Sequence, residues 1–237
     1  MTLDADRIRS NLREVTGRIA AAAARSGRDA AAVRLVAVTK TVPIDAIRTL
    51  LADGQTDIGE NRARQLRDRH RELEGEAVRW HMIGRLQRNK VKYVVPTCTM
   101  IHSVDSLRLA EEIETRAARA ETLATCLLEV NLAGEDQKGG VGPNEAVALA
   151  AHVAALPHVR LVGLMTMAPL VDDAEATRPV FAATRDLRDR INRIADLPAP
   201  LTDLSMGMTQ DFEVAVEEGA TIVRVGSALF ADTDGMP

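Results

Sequence analysis

Aromatic side chains are scarce in this chain, with three Phe, one Tyr and one Trp among 237 residues. Its core must therefore be filled by Ala, Val, Leu and Ile, and the stacking platforms that hold single-stranded nucleic acid are missing. Cysteines number two, Cys98 and Cys126, without metal-ligand spacing; each lies in or beside an apolar run and reads as a buried, inert thiol, and no metal site is expected. There is no excess of positive charge: 30 Lys and Arg face 34 Asp and Glu, for a net charge of -4. That balance argues against nucleic acid as the main partner. No apolar run reaches the length of a membrane span. The polar start, Met1 to Arg7, has no signal-peptide core. The expectation is a soluble, cytoplasmic protein with no membrane partner. A G-x-G-x-x-G turn is also absent after the first β-rich run, where Thr39-Lys40-Thr41-Val42-Pro43 stands instead. This weakens a dinucleotide-binding reading.

What is present is an alternation of two periodicities. Short β-rich runs cover 33–40, 56–59, 79–83, 99–103, 124–131, 159–166, 201–206 and 221–226. Amphipathic helical stretches fall between them at 43–53, 60–73, 85–94, 105–121, 143–156, 174–196 and 209–218, and a further long helix, 4–25, precedes the first strand and stops at Ser26-Gly27. Pro43 and Pro143 suit first helical turns. Asp105 or Ser106 can cap the helix carrying Glu111 and Glu112. Strict alternation means parallel strands joined by helical crossovers. Eight strands in a chain of this length predict an α/β fold, a (β/α)8 TIM barrel with an extra N-terminal helix. The alternative is an open doubly wound sheet. No linker or composition break appears, so residues 1–237 are read as a single domain.

In such a barrel the active site forms at the carboxyl ends of the strands. Lys40 closes the first run. An amine buried there would have its pKa lowered and could attack carbonyls to form a Schiff base; the other reading is a packed stem with its ammonium in water. The turns after the seventh and eighth runs, Ser205-Met206-Gly207-Met208-Thr209 and Gly226-Ser227-Ala228, combine glycines, hydroxyls and free N–H groups as a phosphate cradle would. Arg224 and Gly226 share one side of the last strand. An arginine inside that apolar run needs a partner: a carboxylate such as Glu60 or Glu129, or an atom of a ligand ring. A Schiff-base lysine with a phosphate cradle points to a phosphorylated aldehyde, either pyridoxal 5′-phosphate or an aldolase's sugar phosphate.

Several segments together resemble a known family, the pyridoxal-phosphate-binding homeostasis proteins, single-domain relatives of the alanine racemase barrel. They are Val36 to Thr41, Ile58-Gly59-Glu60-Asn61, the specific stretch Trp80-His81-Met82-Ile83-Gly84-Arg85-Leu86-Gln87-Arg88-Asn89-Lys90, His102 to Asp105, Val130-Asn131 with Lys138 and Gly140, Gly163-Leu164-Met165, Leu204 to Met208, and Val223 to Ser227. The resemblance runs from about residue 33 to 230. It implies that Lys40 forms the internal aldimine with pyridoxal 5′-phosphate. It also implies that Ser205, Gly207, Gly226 and Ser227 contact the phosphate, that Arg224 faces the pyridine nitrogen, and that Asn61 lies beside the ring. Met206 and Met165 are expected to pack near the ring, and His81 to line the same mouth. The chain departs from the family at Ala231, where glycine is usual, and at Thr209, where serine is more usual; neither touches Lys40 or Arg224.

Three functions stay in view. The first is storage, buffering or delivery of pyridoxal phosphate in intracellular homeostasis, with apo-enzymes that use the cofactor as recipients. The resemblance also implies a monomer. The second is a racemase-like enzyme. An arginine at the ring nitrogen makes a weak electron sink, and two-base racemisation needs a second acid/base that the lone Tyr93, placed after the third strand, does not supply. The third is a lysine-dependent aldolase, for which Glu60 is the candidate proton-transfer carboxylate. The expectation is a binding protein with no catalytic residues, and Lys138 is either a second amine near the mouth or a solvated loop lysine.

Overall fold

The computed structural model describes residues 3–132 and 139–231; Lys138, named above, lies outside the described residues. Eight strands run in sequential order around a closed barrel: β1 (Arg34–Val38), β2 (Asp57–Glu60), β3 (Arg79–Met82), β4 (Cys98–Val104), β5 (Ala124–Glu129), β6 (Val159–Met165), β7 (Asp203–Ser205) and β8 (Ile222–Val225). Every neighbouring pair is parallel, and β8 returns to β1 with Arg34 to Ala37 in register with Ile222 to Val225. That closure excludes the open sheet. The helices are α1 (Ala5–Arg25), α2 (Ile44–Ala52), α3 (Ala63–Glu72), α4 (Leu107–Arg119), α5 (Pro143–Ala154), α6 (Arg178–Ile194), α7 (Phe212–Glu217) and α8 (Ser227–Phe230). None is long and apolar enough to cross a membrane.

The strands read as nearly continuous apolar runs because both faces are covered; all six residues of β5 are buried. Helix α1 starts where the Asp4 side chain accepts the Asp6 N–H at 3.0 Å, and the chain leaves it through Gly27 at φ +68°. Its buried stripe, Ile8, Leu12, Val15, Ile19 and Ala22-Ala23, has helical spacing. It packs against α2, α7 and α8, completing the helical ring where the short α8 leaves room. Asn11 ties it there, donating to the carbonyls of Leu229 and Ala231.

Three expected helices differ. The stretch expected as a helix over 85–94 is a 3-10 turn at 88–93. Val91 and Val94, three apart, are both buried, which suits three residues per turn. The helix expected from 60 starts at Ala63, leaving Glu60 in β2 and Asn61 in the connection. The helix expected from 209 starts at Phe212, because the Asp211 carboxylate accepts the Met208 N–H at 2.6 Å and holds 208–211 as a turn.

Two apolar clusters result. The large one fills the space between barrel and helices. The small one is Val36, Met100, Leu127, Met165 and Ile222, one each from β1, β4, β5, β6 and β8, inside the barrel. Strands β2, β3 and β7 send no buried apolar side chain there. Gly163 is obligatory in this packing, since a Cβ would stand 1.9 Å from the Asp203 carbonyl oxygen of β7.

Candidate cofactor site

A cavity of about 750 Å³ opens at the carboxyl ends of the strands. Lys40, Asn61, Arg224, Gly226 and Ser227 line it, five of the eight expected binding residues. Ser205, Met206 and Gly207 are buried behind its wall. A smaller cavity of about 290 Å³, between α1 and the turn at 53–55, contains none of the expected residues.

Of the two readings of Lys40, the structure does not meet the buried one. Strand β1 ends at Val38, and Lys40 stands exposed in the following turn. A desolvated strand-end amine is therefore not what the fold provides; it provides an amine on an open cavity wall. The turn under it is firmly held. Thr39 N–H bonds to the Gly59 carbonyl at 3.1 Å. Thr39 Oγ1 donates to Glu60 Oε1 at 2.6 Å. Arg69 of α3 pairs with the same carboxylate and donates to the carbonyls of Thr39 and Val42. Gln65 Nε2 donates to the Lys40 carbonyl at 2.9 Å. Glu60 is fully buried, and burial pushes its carboxyl up against the opposing pull of Thr39 and Arg69. Glu60 is thus occupied by Arg69, neither a partner for Arg224 nor open to the cavity.

Arg224 is 4% exposed and reaches the cavity from β8. Its Nη1 donates to Ser205 Oγ at 2.7 Å and its Nη2 to the Thr166 carbonyl at 2.9 Å. The expected direct ion pair with Glu60 or Glu129 is not formed. Glu129 and Asp211 act on it only through space, and burial pulls the guanidinium down to about 10. It remains a cation at neutral pH.

Beside Arg224, the turns after β7 and β8 meet. Thr209 Oγ1 lies 3.4 Å from the Gly226 N and 3.5 Å from the Ala228 N, long contacts that leave both N–H donors free for a stronger acceptor. Gly207, at φ +92°, turns the chain toward them; a Cβ there would stand 2.6 Å from Ala215. Asn61 Oδ1 is buried on the cavity wall without a hydrogen-bond partner. Gly84, two residues past β3, lets the chain pass close to Asn61, where a Cβ would meet its carbonyl oxygen at 2.4 Å.

Other expectations are corrected by strand alternation. Ser205 faces the barrel interior, where its hydroxyl serves Arg224 and His102. Met206 faces outward into the large core, and Met165 lies within the barrel; Met167 and Met208 line the cavity instead. His81 is fully buried below the mouth, hydrogen-bonded to Asp57 and His102. Tyr93 lies beneath Arg67 and Lys92, away from the cavity. Glu129, read from sequence as a candidate ion-pair partner of Arg224, instead lines the cavity with Gly139 against its carboxylate. Burial and then Asp105 push that carboxyl up, while Arg224 and Arg85 oppose them. Thr209 belonged to the turn read from sequence as part of a phosphate cradle, but was not among the residues expected to contact the phosphate.

The model of the alanine racemase N-terminal domain family matches residues 3–234. The chain is 42% identical over 221 residues to the pyridoxal phosphate homeostasis protein of Aquifex aeolicus, covering 93% of this chain and 96% of that one. It is 36% identical to the human protein of the same name over 94% of this chain and 86% of that one. Among solved structures, PipY of Synechococcus elongatus with pyridoxal phosphate bound superposes with a TM-score of 0.80 at 36% identity, covering 92% of this chain and all of that one. With a family model spanning nearly its whole length and full-length relatives at this identity, the chain belongs to the alanine racemase N-terminal domain family, in the branch of the pyridoxal phosphate homeostasis proteins.

Proposed function

We propose that this chain binds pyridoxal 5′-phosphate at the barrel mouth and serves its homeostasis, storing, buffering or delivering the cofactor. The observation that carries this reading is one cavity with the Lys40 amine on one wall, the loosely satisfied N–H groups of Gly226 and Ala228 on another, and the Arg224 cation between. These residues fit the group. The phosphate is assigned to Thr209, Ser227 and the two backbone donors, in the manner of an anion held by a backbone nest. The unpartnered Asn61 amide oxygen is available to the ring substituents. Arg224 is assigned to the ring nitrogen; having no proton to give up, it holds that nitrogen as a hydrogen-bond acceptor.

When bound, pyridoxal phosphate supplies an aldehyde that condenses with amines. Lys40 supplies the amine, and the Arg69, Thr39 and Gln65 contacts fix its backbone. The site favours holding over turnover. Tyr93, the lone tyrosine, is remote from the cavity, and an arginine at the ring nitrogen does not promote carbanion chemistry. Relatives are named as homeostasis proteins. Recipients of the stored cofactor are proposed to be apo-enzymes that use it.

The test is spectroscopic. Purified protein loaded with pyridoxal phosphate should be yellow, and borohydride should fix the cofactor covalently on Lys40, read by peptide mass spectrometry. Lys40→Ala should lose the band while keeping the far-UV spectrum. Covalent cofactor retained in that variant, or no binding by the unaltered chain, would refute the assignment.

A further inference from the structure

Five polar side chains occupy the barrel interior where apolar ones would need no partners. Asp57, His81, His102, Ser205 and Arg224 come from β2, β3, β4, β7 and β8, and each is at most 5% exposed. They form one chain of contacts. Asp57 Oδ1 is 2.9 Å from His81 Nε2, His81 Nδ1 is 2.9 Å from His102 Nε2, and His102 Nδ1 is 2.9 Å from Ser205 Oγ. Arg224 Nη1 closes the series at 2.7 Å from Ser205 Oγ. The two rings meet edge to face, 68° apart.

Geometry assigns the hydrogens. A guanidinium only donates, so Ser205 accepts from Arg224. An ionised carboxylate only accepts, so His81 carries its hydrogen on Nε2. Two ring nitrogens 2.9 Å apart need one donor and one acceptor. With neutral His81, its Nδ1 accepts from His102 Nε2–H, and His102 Nδ1 then accepts the Ser205 hydroxyl. Every member is satisfied, and every hydrogen points from Arg224 toward Asp57. The charge states agree with this order. Burial works to raise the Asp57 carboxyl, but His81 and Arg79 bring it below the usual range. Burial lowers His81, and lowers His102 further, with His81, Arg224 and Arg34 acting in the same direction. At the barrel floor, Asp57 is also paired with Arg79, and Arg34 Nε lies 3.9 Å from it.

We propose that Asp57, His81, His102 and Ser205 are a one-directional hydrogen-bond relay that positions Arg224 at the cavity and ties it to the Asp57–Arg79 pair at the opposite end of the barrel. The assignment of Arg224 to the cofactor ring rests on the function proposed above; the relay itself does not. Asp57, His81 and His102 touch no ligand and act through Ser205 as positioning residues. Because each link fixes the next, removal of charge at Asp57 is felt at Arg224 across three intervening groups.

The test uses the full chain labelled with 15N-histidine, without added cofactor. At pH 7, His81 and His102 should both be neutral with hydrogen on Nε2, and a coupling across the hydrogen bond should join His102 Nε2 to His81 Nδ1. Asp57→Asn should shift the His102 resonances, although His102 does not touch residue 57. Ser205→Ala should shift His102 and leave the His81–Asp57 signature in place. An imidazolium or an Nδ1–H tautomer at either ring, or a His102 spectrum unmoved in Asp57→Asn, would overturn the relay. If Asp57→Asn does not fold, Ser205→Ala and the unaltered chain still decide. In the loaded protein, Asp57→Asn should raise the cofactor dissociation constant about fivefold to tenfold and shift the absorption maximum. An unchanged constant and maximum would overturn the positioning role. Failure of the unaltered chain to bind cofactor would refute the functional reading, and the nitrogen spectra would then decide the relay by themselves.

Discussion

Arg69→Met gives the sharpest test of how the Lys40 turn is held. In the folded protein Arg69 neutralises the fully buried Glu60 and donates to the carbonyls of Thr39 and Val42. Methionine keeps most of the stem's packing and removes all three interactions. The two lost carbonyl bonds cost about 1 kcal/mol each. The unpaired carboxylate would cost more than it does to protonate it, so Glu60 takes a proton, and that sets the bound. From an unfolded value near 4.3, protonation costs about 3.7 kcal/mol at pH 7 and about 1 kcal/mol at pH 5. The deficit is then about 6 kcal/mol at pH 7 and about 3 kcal/mol at pH 5, against a total of roughly 5–15 kcal/mol for a domain. The sign follows from linkage: the folded variant binds the proton more tightly than the unfolded chain, so stability falls as pH rises above about 4.3. Urea unfolding of both proteins at the two pH values measures the difference. Arg69→Met combined with Glu60→Gln should abolish the pH dependence. A deficit under about 1 kcal/mol at pH 7, or one that does not shrink at pH 5, refutes this account of the turn.

Thr209→Val removes the hydroxyl that faces the Gly226 and Ala228 N–H groups while keeping the side chain's shape. Cofactor affinity by equilibrium titration should fall about fivefold to tenfold, with stability changed by less than about 1 kcal/mol; unchanged affinity would remove Thr209 from the phosphate site. Gly207→Ala places a Cβ 2.6 Å from Ala215 at a φ of +92°. Left-handed strain and overpacking together should cost about 2–4 kcal/mol in chemical denaturation, and a loss below about 1 kcal/mol would show that the turn relaxes freely.

The barrel was legible in the sequence because its strands, covered on both faces, read as apolar runs bounded by turns, and their number in this length suits closure. The inward aim of Arg224 also followed from its parity with Gly226. The setting of Lys40 was not legible. Whether β1 ends at 38 or 40 depends on Thr39 turning its hydroxyl to Glu60, a residue 21 positions away. Nor could the strand ends show which of Ser205 and Met206 faces inward, since a run of three strand residues carries little alternation. His81 was placed at the mouth by the family resemblance, yet its partners Asp57 and His102 come from two other strands and meet it only once the barrel is closed. The role of Asn61 toward a ring came from family resemblance alone, and for Arg224 the chain itself offered a ligand ring only as one of two possible partners.

The interior of this barrel is an unusual place to put charge. Its apolar cluster has five members, and β2, β3 and β7 contribute Asp57, His81 and Ser205 where Val, Ile or Leu would pack without needing partners. A buried polar group is tolerated only when satisfied, and removing one partner leaves the next orphaned. The arrangement is therefore close to all-or-none, and stability alone gives no reason for it, because apolar replacements of buried ionic networks are often neutral or favourable. What the polar interior does provide is a guanidinium at the cavity whose Nη1 and Nη2 are already engaged with Ser205 Oγ and the Thr166 carbonyl. A cation tethered at two points presents its remaining N–H bonds in a fixed direction. That is the property the contact proposed above between Arg224 and an unprotonated ring nitrogen requires; the Lys40 turn is secured separately by Arg69 and Glu60.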